Sequence, residues 1–302
     1  MIELREISSY KILVIGAYFL CFIISVKIIF VIAIYPYATT KPLLNFSIMR
    51  NISEQKNGIV NDSYLKCEKP IRKIGFLKTH KCASTSIQNI LLRFGRAHNL
   101  NFVIKSEGPH MNESFPYKRS MIKETLWEKA GLEYDMFLLH SIWNHREIAE
   151  TLSDHGDVFY FSIIRNPAFR FRSSWDYYDL SRKYNETIEE YALKALKQRT
   201  PYKMSMLHEF GLPLKAMNDR VKVEEKIKEI DETFDLILLA DKDYINDSII
   251  LLKDALCWEY RDMINFQLNS QNEQLVTSLS PRAYQALKGN QQSVDIYIYD
   301  VE

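Results

Sequence analysis

Lysine, histidine, serine and threonine side chains are concentrated in one short stretch of the chain, from Lys78 to Ser86. The apolar run before it, 74–77, is typical of a buried strand, and apolar residues recur at helical spacing from Ile87 onward. A loop that leads from a strand into a helix directs backbone N–H groups and the positive end of the helix dipole at one point. The stretch therefore predicts an anion site, with phosphate or sulfate as its natural occupant.

The candidate ligands in this loop are two lysines, one histidine and three hydroxyl side chains: Lys78, His80, Lys81, Ser84, Thr85 and Ser86. A nucleotide-hydrolase P-loop needs G-x-x-x-x-G-K-[ST], whereas here Gly75 lies inside the strand and small residues follow Lys81. That order resembles the 5′-phosphosulfate loop of sulfotransferases that use 3′-phosphoadenosine 5′-phosphosulfate (PAPS). The alternative is an ordinary helix start, with Ser84 or Thr85 as the N-cap.

A second group of candidate ligands follows the predicted strand 157–164. Arg165 stands at the end of that strand, and Ser173 lies under two turns into the helix that should follow. A guanidinium binds phosphate in a bidentate manner, and a nearby hydroxyl adds a further bond. These residues predict a second part of the same anion site. The alternative is that Arg165 pairs with Asp157 or Asp176.

His140 is the candidate general base. It follows the apolar segment 134–139, and chemistry in an α/β sheet concentrates at the carboxyl ends of the strands. A hydroxyl must lose its proton as it attacks sulfur, and imidazole titrates near neutral pH. The alternative is a structural histidine whose ring nitrogens are hydrogen-bonded within the core. His80 either lines the donor loop or orders it.

Strands alternate with helices along the chain, which predicts a mostly parallel sheet. Strand patterns occur at 73–78, 134–140, 157–164 and 234–240, with a further short one at 101–104. Helical patterns occur at 84–95, 145–153, 167–180, 186–199, 221–231 and 246–258. The expected fold class is α/β: a P-loop-like three-layer sandwich with a mostly parallel central sheet, preceded by one transmembrane helix.

The N-terminal segment is predicted to anchor the chain in a membrane. Residues 12–35 are almost wholly apolar and long enough to span a bilayer, with a signal peptide as the alternative. N-x-[ST] sequons lie beyond this span, at Asn45, Asn51, Asn61, Asn112, Asn185 and Asn246, and indicate a secretory lumen. The predicted organisation is a cytoplasmic tail at 1–11, a transmembrane signal anchor at 12–35, a luminal stem at 36–70 and a catalytic domain at 71–302.

The composition disfavours two other kinds of function. The chain of 302 residues carries 39 Lys and Arg against 38 Asp and Glu, so binding of nucleic acid through a basic face is not expected. The four cysteines form neither a disulfide scaffold nor a metal-site spacing, so no metal is expected. In an oxidising lumen, Cys67 and Cys257 could pair and leave Cys82 free.

Three stretches of the sequence together resemble the galactose-3-O-sulfotransferase family, Golgi enzymes related to galactosylceramide sulfotransferase. The first is L-K-T-H-K-C-A-S-T-S-I-Q-N-I-L, which starts at Leu77, and the second is F-S-I-I-R-N-P-A-F-R-F-R-S-S-W-D-Y-Y, which starts at Phe161. The third combines F-D-L-I-L-L-A from Phe234 with L-L-K-D-A-L-C-W-E from Leu251. The similarity runs in order from about 74 to 299.

The resemblance implies PAPS as the sulfate donor and a galactose-terminated glycolipid or glycoprotein as the acceptor, sulfated at the 3-OH of terminal β-galactose. It implies a single-pass type II Golgi membrane protein with a luminal catalytic domain. His140 would take the proton of the sugar hydroxyl, and Lys81 with loop amides would stabilise the departing phosphate. The donor contacts it implies are Lys81, Ser84, Thr85 and Ser86 at the phosphosulfate, and Arg165 and Ser173 at the 3′-phosphate. Cys82 stands where the family commonly has threonine.

Other functions stay open at this point. Asp241-Lys242-Asp243 follows a strand and could hold Mn²⁺ in a nucleotide-sugar glycosyltransferase, although a lone D-x-D is a weak signal. A catalytically inactive Golgi homologue that binds PAPS or glycan is favoured by Cys82 and by a chain that ends soon after Tyr299. A glycosaminoglycan sulfotransferase would share the same donor loop. The oligomeric state is open, with a homodimer among the alternatives.

Overall fold

The computed structural model describes residues 69–104, 115–122, 129–198, 205–264 and 278–288. All of these residues belong to one compact unit of the chain. The predicted membrane anchor 12–35, most of the predicted stem and the sequence near Tyr299 lie outside the described residues. Among the helices of the described ranges, none combines the length and the apolar character needed to cross a membrane.

A four-stranded parallel sheet forms the centre of the described structure. Its strands are β1 (Ile74–Leu77), β2 (Met136–Phe137), β3 (Phe159–Ile164) and β4 (Leu236–Leu239). The strand order is β2-β1-β3-β4, and every neighbouring pair is parallel. Helices lie in each connection, as parallel strands require a crossover. The prediction of an α/β fold with a mostly parallel sheet is thus confirmed.

Nine α-helices accompany this sheet in the described residues. The first five are α1 (Ser84–Ala97), α2 (His145–Thr151), α3 (Pro167–Tyr177), α4 (Leu180–Tyr184) and α5 (Ile188–Gln198). The remaining four are α6 (Met206–Glu209), α7 (Arg220–Thr233), α8 (Ile245–Leu256) and α9 (Pro281–Lys288). Helix α6 is short and was not predicted from the sequence.

Some predicted elements are shorter in the structure. The segment 101–104 forms a single bridge from Phe102 to Met136 rather than a strand. The strand predicted at 134–140 pairs with β1 only at Met136–Phe137, and the next carbonyl group, that of Leu138, accepts a hydrogen bond from the Gln88 side chain instead of from a strand. The helix predicted at 167–180 ends at Tyr177, because Asp179 adopts a left-handed conformation with φ 48° and begins a new helix.

The core lies between the sheet and the helices that cover it. Helix α1 buries its apolar face, including Ile87 and Phe94, as its spacing predicted. Burial of each such side chain stabilises the fold by about 1.5–3 kcal/mol. Phe76 and Phe161 stack across β1 and β3 with ring centroids 4.7 Å apart. Gly75 in β1 lies against the Tyr160 ring, where any Cβ would overlap the aromatic carbons. These contacts hold β1 and β3 together directly below the loop and the strand end that carry the candidate site.

The described cysteines differ in state. Cys82 is a free, buried thiol, as predicted. Cys257 is disulfide-bonded, and the predicted partner Cys67 lies outside the described residues. The bonded cysteine ends α8, remote in sequence from the candidate site.

Candidate active site

The loop between β1 and α1 has a backbone shape suited to an anion. Lys81 and Ala83 have φ of 62° and 54°, in the left-handed region that non-glycine residues seldom adopt. Successive residues that alternate into this region turn their N–H groups toward one concavity, known as a nest. Helix α1 begins directly afterwards at Ser84, so its first N–H groups adjoin the same concavity. The backbone of this loop therefore has the shape that the predicted anion site requires.

Hydroxyl groups inside the loop fix its shape. The Thr79 hydroxyl donates to the carbonyl of Ile163 in β3, and the Ser84 hydroxyl donates to the carbonyl of Thr79 at 2.5 Å. The N-cap residue of α1 is Ala83, with no side-chain cap bond, so an ordinary cap by Ser84 or Thr85 is excluded. The proton of the Ser84 hydroxyl is used within the loop. Thr85 and Ser86 are half-buried in the first turn of α1.

Cys82 packs inside this loop rather than presenting a reactive group. Its side chain is buried, and its thiol donates to the carbonyl of His80 at 3.3 Å. Burial raises the pKa of the Cys82 thiol to about 11, so the group stays neutral at physiological pH. The residue acts as a small apolar filler behind the loop.

Lys81 places its ammonium at the exposed edge of the loop. The Nζ atom lies 3.6 Å from the ring centroid of Tyr177, a residue of α3 that is 62% exposed. Burial, and secondarily the nearby Arg165 guanidinium, lowers the pKa of Lys81 to about 8. The group is therefore mainly charged at pH 7, and partial desolvation strengthens its attraction for an anion.

Arg165 joins the two predicted halves of the site. Its Nη1 donates to the carbonyl of Lys81 at 3.1 Å, across 84 residues of sequence. Within the described part of the chain, the buried Nε of the same guanidinium has no hydrogen-bond partner. Asp157, one of the alternative partners, instead lies with Oδ2 3.7 Å from Nζ of Lys73. Arg165 thus combines a fixed position with a donor that an anion can use.

Helix α3 adds further groups beside Arg165. Ser173 is half-buried and lies four residues before Tyr177, so both occupy one face of the helix, the face that approaches Lys81. Burial, and secondarily the charge of Arg165, lowers the pKa of Arg172. Arg172 is therefore a further cation near this edge. Sequence reasoning did not single out Arg172 or Tyr177, although both lie in the second of the quoted segments.

His140 is buried beneath the loop with a defined tautomer. Its Nδ1 lies 2.6 Å from the carbonyl oxygen of Lys78, and a carbonyl only accepts hydrogen bonds. The Nδ1 atom must therefore carry the proton, and in the neutral ring the lone pair lies on Nε2. The ring stacks on that of His80, with centroids 4.0 Å apart and planes 20° from parallel. The carbonyl bond fits a core histidine as well as a base, but the tautomer it sets is the one a base needs.

Lys78 is directed toward α1. Its Nζ donates to Oε1 of Gln88 at 2.7 Å, and Nε2 of Gln88 donates to the carbonyl of Leu138 at 2.8 Å. The lysine side chain is buried, and burial lowers its pKa to about 8. Lys78 therefore connects β1, α1 and the segment after β2. The structure brings it to the floor of the site, whereas Lys81 occupies the edge.

Two residues that sequence reasoning missed surround His80. Glu209, at the end of α6, accepts the His80 N–H at 2.9 Å with Oε2, and its Oε1 lies 3.2 Å from His80 Nδ1. Arg170 of α3 donates from Nη2 to the same Oε1 at 2.6 Å and from Nε to the His80 carbonyl at 2.9 Å. No motif signalled Glu209, because it lies 129 residues from its partner in a segment without periodicity.

The first aspartate of the D-x-D sequence after β4 binds the residue that caps the start of α3. The Oδ2 atom of Asp241 accepts the backbone N–H of Asn166 at 3.0 Å, and Asp243 is exposed. Asn166 in turn caps α3 by accepting the N–H of Ala168 at 3.0 Å. Within the described ranges, no group of three or more His, Cys, Asp or Glu side chains is arranged to hold a metal ion. Asp241 therefore positions the segment that follows Arg165.

The sequence of this chain is similar to those of several known proteins. A family model described as galactose-3-O-sulfotransferase matches residues 3–301. Galactose-3-O-sulfotransferase 2 of Mus musculus is 31% identical over 235 residues, which cover 73% of this chain and 58% of that protein. The Homo sapiens protein of the same name is 30% identical over 225 residues, 70% of this chain and 54% of the relative. Galactosylceramide sulfotransferase of Homo sapiens is 28% identical over 295 residues, 92% of this chain and 67% of that protein. The chain thus spans little more than half the length of the first two relatives.

Proposed function

This chain belongs to the galactose-3-O-sulfotransferase family, and on that premise we propose that it transfers a sulfuryl group from PAPS to a hydroxyl of galactose. The observation that carries the proposal is the hydrogen bond from Arg165 to the Lys81 carbonyl, which joins two separate cationic segments into one site. A donor with phosphate groups at its 5′ and 3′ positions needs two anion contacts of this kind.

The residues of the loop and of α3 fit such a donor. The nest at Lys81 and Ala83 would hold the phosphosulfate, with Thr85 and Ser86 as nearby hydroxyl groups. The Nε of Arg165, which has no hydrogen-bond partner among the described residues, would donate to the 3′-phosphate, with Ser173 on the adjoining helix face. When bound, PAPS supplies the sulfuryl group, and adenosine 3′,5′-bisphosphate leaves.

The reaction requires the protein to remove a proton from the acceptor and to stabilise negative charge on the leaving group. The Nε2 lone pair of His140 takes the proton of the attacking hydroxyl, because the Lys78 carbonyl keeps the other nitrogen protonated. Lys81 stabilises the negative charge that develops on the departing phosphate, and its partial burial makes that interaction stronger than in water. The basic groups of the described site supply charge stabilisation where kinases use a metal ion.

The acceptor we propose is the 3-OH of a terminal β-galactose on a glycolipid or glycoprotein. Its support comes from the relatives, whose names specify transfer to galactose at O-3 or to galactosylceramide. The alternative that the experiment below must distinguish from this proposal is a catalytically inactive homologue that binds PAPS or glycan. No observation in the described structure favours a glycosyltransferase, because Asp241 is used in the fold.

A transfer assay tests this function. The full-length chain, purified in detergent, is incubated with ³⁵S-labelled PAPS and galactose-terminated glycans, together with the matching glycans that carry 3-deoxygalactose. We expect label on the former and none on the latter, with no requirement for added Mn²⁺. Binding of adenosine 3′,5′-bisphosphate without transfer to any acceptor would identify an inactive homologue instead.

We also propose that the chain is a type II Golgi membrane protein with a luminal catalytic domain. The support is the apolar run 12–35 followed by several sequons, three of them between Asn45 and Ser63. Expression in cells with treatment by an N-glycosidase tests the orientation. A mass decrease on treatment is expected, and an unglycosylated chain exposed to protease in sealed vesicles would contradict it.

A further inference from the structure

The ring of His80 is fixed by one acidic residue. The carboxylate of Glu209 contacts both the His80 backbone N–H and its Nδ1, at 2.9 and 3.2 Å. A carboxylate beside an arginine accepts hydrogen bonds only, so Nδ1 of His80 must carry a proton. Glu209 is itself buried, with 8% of the residue's surface exposed. A buried carboxylate with this geometry selects one tautomer and one ring orientation.

Arg170 completes this arrangement. It is only 1% exposed, and it donates to the Glu209 carboxylate and to the His80 carbonyl. The ion pair therefore contacts the backbone N–H, the backbone carbonyl and the ring of the same histidine. Its guanidinium also balances the charge of Glu209, which would otherwise be costly at this depth.

Glu209 also contacts the segment that follows the candidate base. Its backbone carbonyl accepts the N–H of Trp143 at 2.8 Å, three residues beyond His140. The rings of His80 and His140 stack with centroids 4.0 Å apart. One residue of α6 therefore contacts His80 through its side chain and, through its backbone, Trp143 in the segment that follows His140.

We propose that Glu209, with Arg170 as its counter-ion, is a positioning residue that fixes the His80 imidazole and, through the stack, the protonation behaviour of His140. This inference rests on the proposed function, since it assigns a role within the same site. Glu209 does not touch the reacting atoms. Its effect reaches them through the two rings.

The charge of Glu209 gives this role a distinct pH signature. Protonation of His140 creates an imidazolium beside His80; a carboxylate nearby favours that charged form, whereas Arg170 and the ammonium of Lys78 disfavour it. The thiol of Cys82, which also faces the His80 backbone, is neutral. Loss of the carboxylate makes protonation of the pair harder. The acid limb of the pH–rate profile must then move to lower pH.

The test compares Glu209→Gln with Glu147→Gln in the full-length chain. Glu147 of α2 is a matched control, because its carboxylate also accepts a backbone N–H, that of Arg119, at 2.9 Å. We expect Glu209→Gln to lower turnover roughly 10- to 100-fold, the range for groups that orient a functional histidine. Its acid limb should move down by roughly 0.5–1 pH unit, the effect of one lost nearby charge. Glu147→Gln should change neither quantity.

A spectroscopic measurement makes the result independent of turnover. In histidine-selective ¹⁵N NMR, wild-type His80, assigned with His80→Asn, should show a proton fixed on Nδ1, and Glu209→Gln should shift its signals toward a tautomer mixture. If loss of the Glu209 carboxylate beside Arg170 prevents folding, the variant that combines Glu209→Met with Arg170→Met removes both charges at similar volume and should show the same mixture.

The outcomes separate the two proposals. Unchanged His80 signals, or a turnover loss that is uniform across pH, would overturn the positioning role. A wild-type chain that transfers no sulfate would overturn the proposed function instead, while the His80 signals would still decide whether Glu209 fixes the ring.

Discussion

Replacement of Arg165 by glutamine tests one end of the proposed donor site, the contact with the 3′-phosphate, separately from the other. The guanidinium is bound to the Lys81 carbonyl through Nη1, and its buried Nε is available to a ligand within the described structure. We expect the variant to lose affinity for adenosine 3′,5′-bisphosphate while affinity for adenosine 5′-monophosphate changes little. The physical reason is that only the bisphosphate has a second anion for Arg165 to contact.

The expected loss of affinity follows from the hydrogen bonds that the substitution removes. A hydrogen bond between charged groups contributes about 1.5–3 kcal/mol. Since each 1.4 kcal/mol is tenfold in an equilibrium constant, the affinity for the bisphosphate should fall roughly 10- to 150-fold. Glutamine is shorter than arginine and has no atom at the Nη1 position, so the Lys81 carbonyl also loses its donor. The Thr79 and Ser84 hydroxyl bonds still hold the loop, so we expect this second effect to be small, and the titration with adenosine 5′-monophosphate measures it.

Isothermal titration calorimetry with both nucleotides measures this difference. Arg182→Gln is the control, because Arg182 is an exposed arginine of α4 paired with Asp179. It should leave both affinities unchanged. Equal loss of affinity for both nucleotides in Arg165→Gln would mean that Arg165 only supports the loop, and no loss for either would remove it from the site altogether.

Four further predictions concern the site and the sheet below it. His140→Gln should abolish most sulfate transfer while leaving calorimetric binding of adenosine 3′,5′-bisphosphate intact; a variant with near-normal turnover would refute the base. Lys81→Met should reduce turnover roughly 10²–10³-fold, the loss for one charge-stabilising donor. Because the pKa of Lys81 is lowered to about 8, its ammonium is present below that pH and lost above it, so wild-type activity should decline above pH 8. Lys81→Arg should move that decline to higher pH, and an unmoved decline would assign it to another group. Gly75→Ala should lower the free energy of unfolding by about 1–3 kcal/mol through overlap with Tyr160, and unchanged thermal and denaturant unfolding would contradict that packing.

The sequence predicted the parts of this fold that depend on local pattern. Apolar runs located all four strands, and helical spacing located α1 to within two residues at its C-terminal end. The candidate anion loop could be located in the sequence because its candidate ligands lie together between a strand and a helix. Arg165 was predictable because strand ends in a parallel sheet meet at one edge.

The rest of the site depends on contacts between distant segments. Nothing in the local sequence shows that Thr79 binds the Ile163 carbonyl, or that Lys78 turns toward Gln88 instead of the edge. Glu209 lies in a four-residue helix without a periodic pattern, and its role is visible only from its partners. Local periodicity predicts elements, whereas these hydrogen bonds depend on how the elements pack.

The central claim is that Lys81 and Arg165 bind the two ends of one activated-sulfate nucleotide. A crystal structure of the full-length chain with adenosine 3′,5′-bisphosphate tests it most directly. We expect the 5′-phosphate in the loop that carries Lys81 and the 3′-phosphate on the guanidinium of Arg165. A nucleotide that contacts only one of these residues, or that binds elsewhere on the protein, would contradict it.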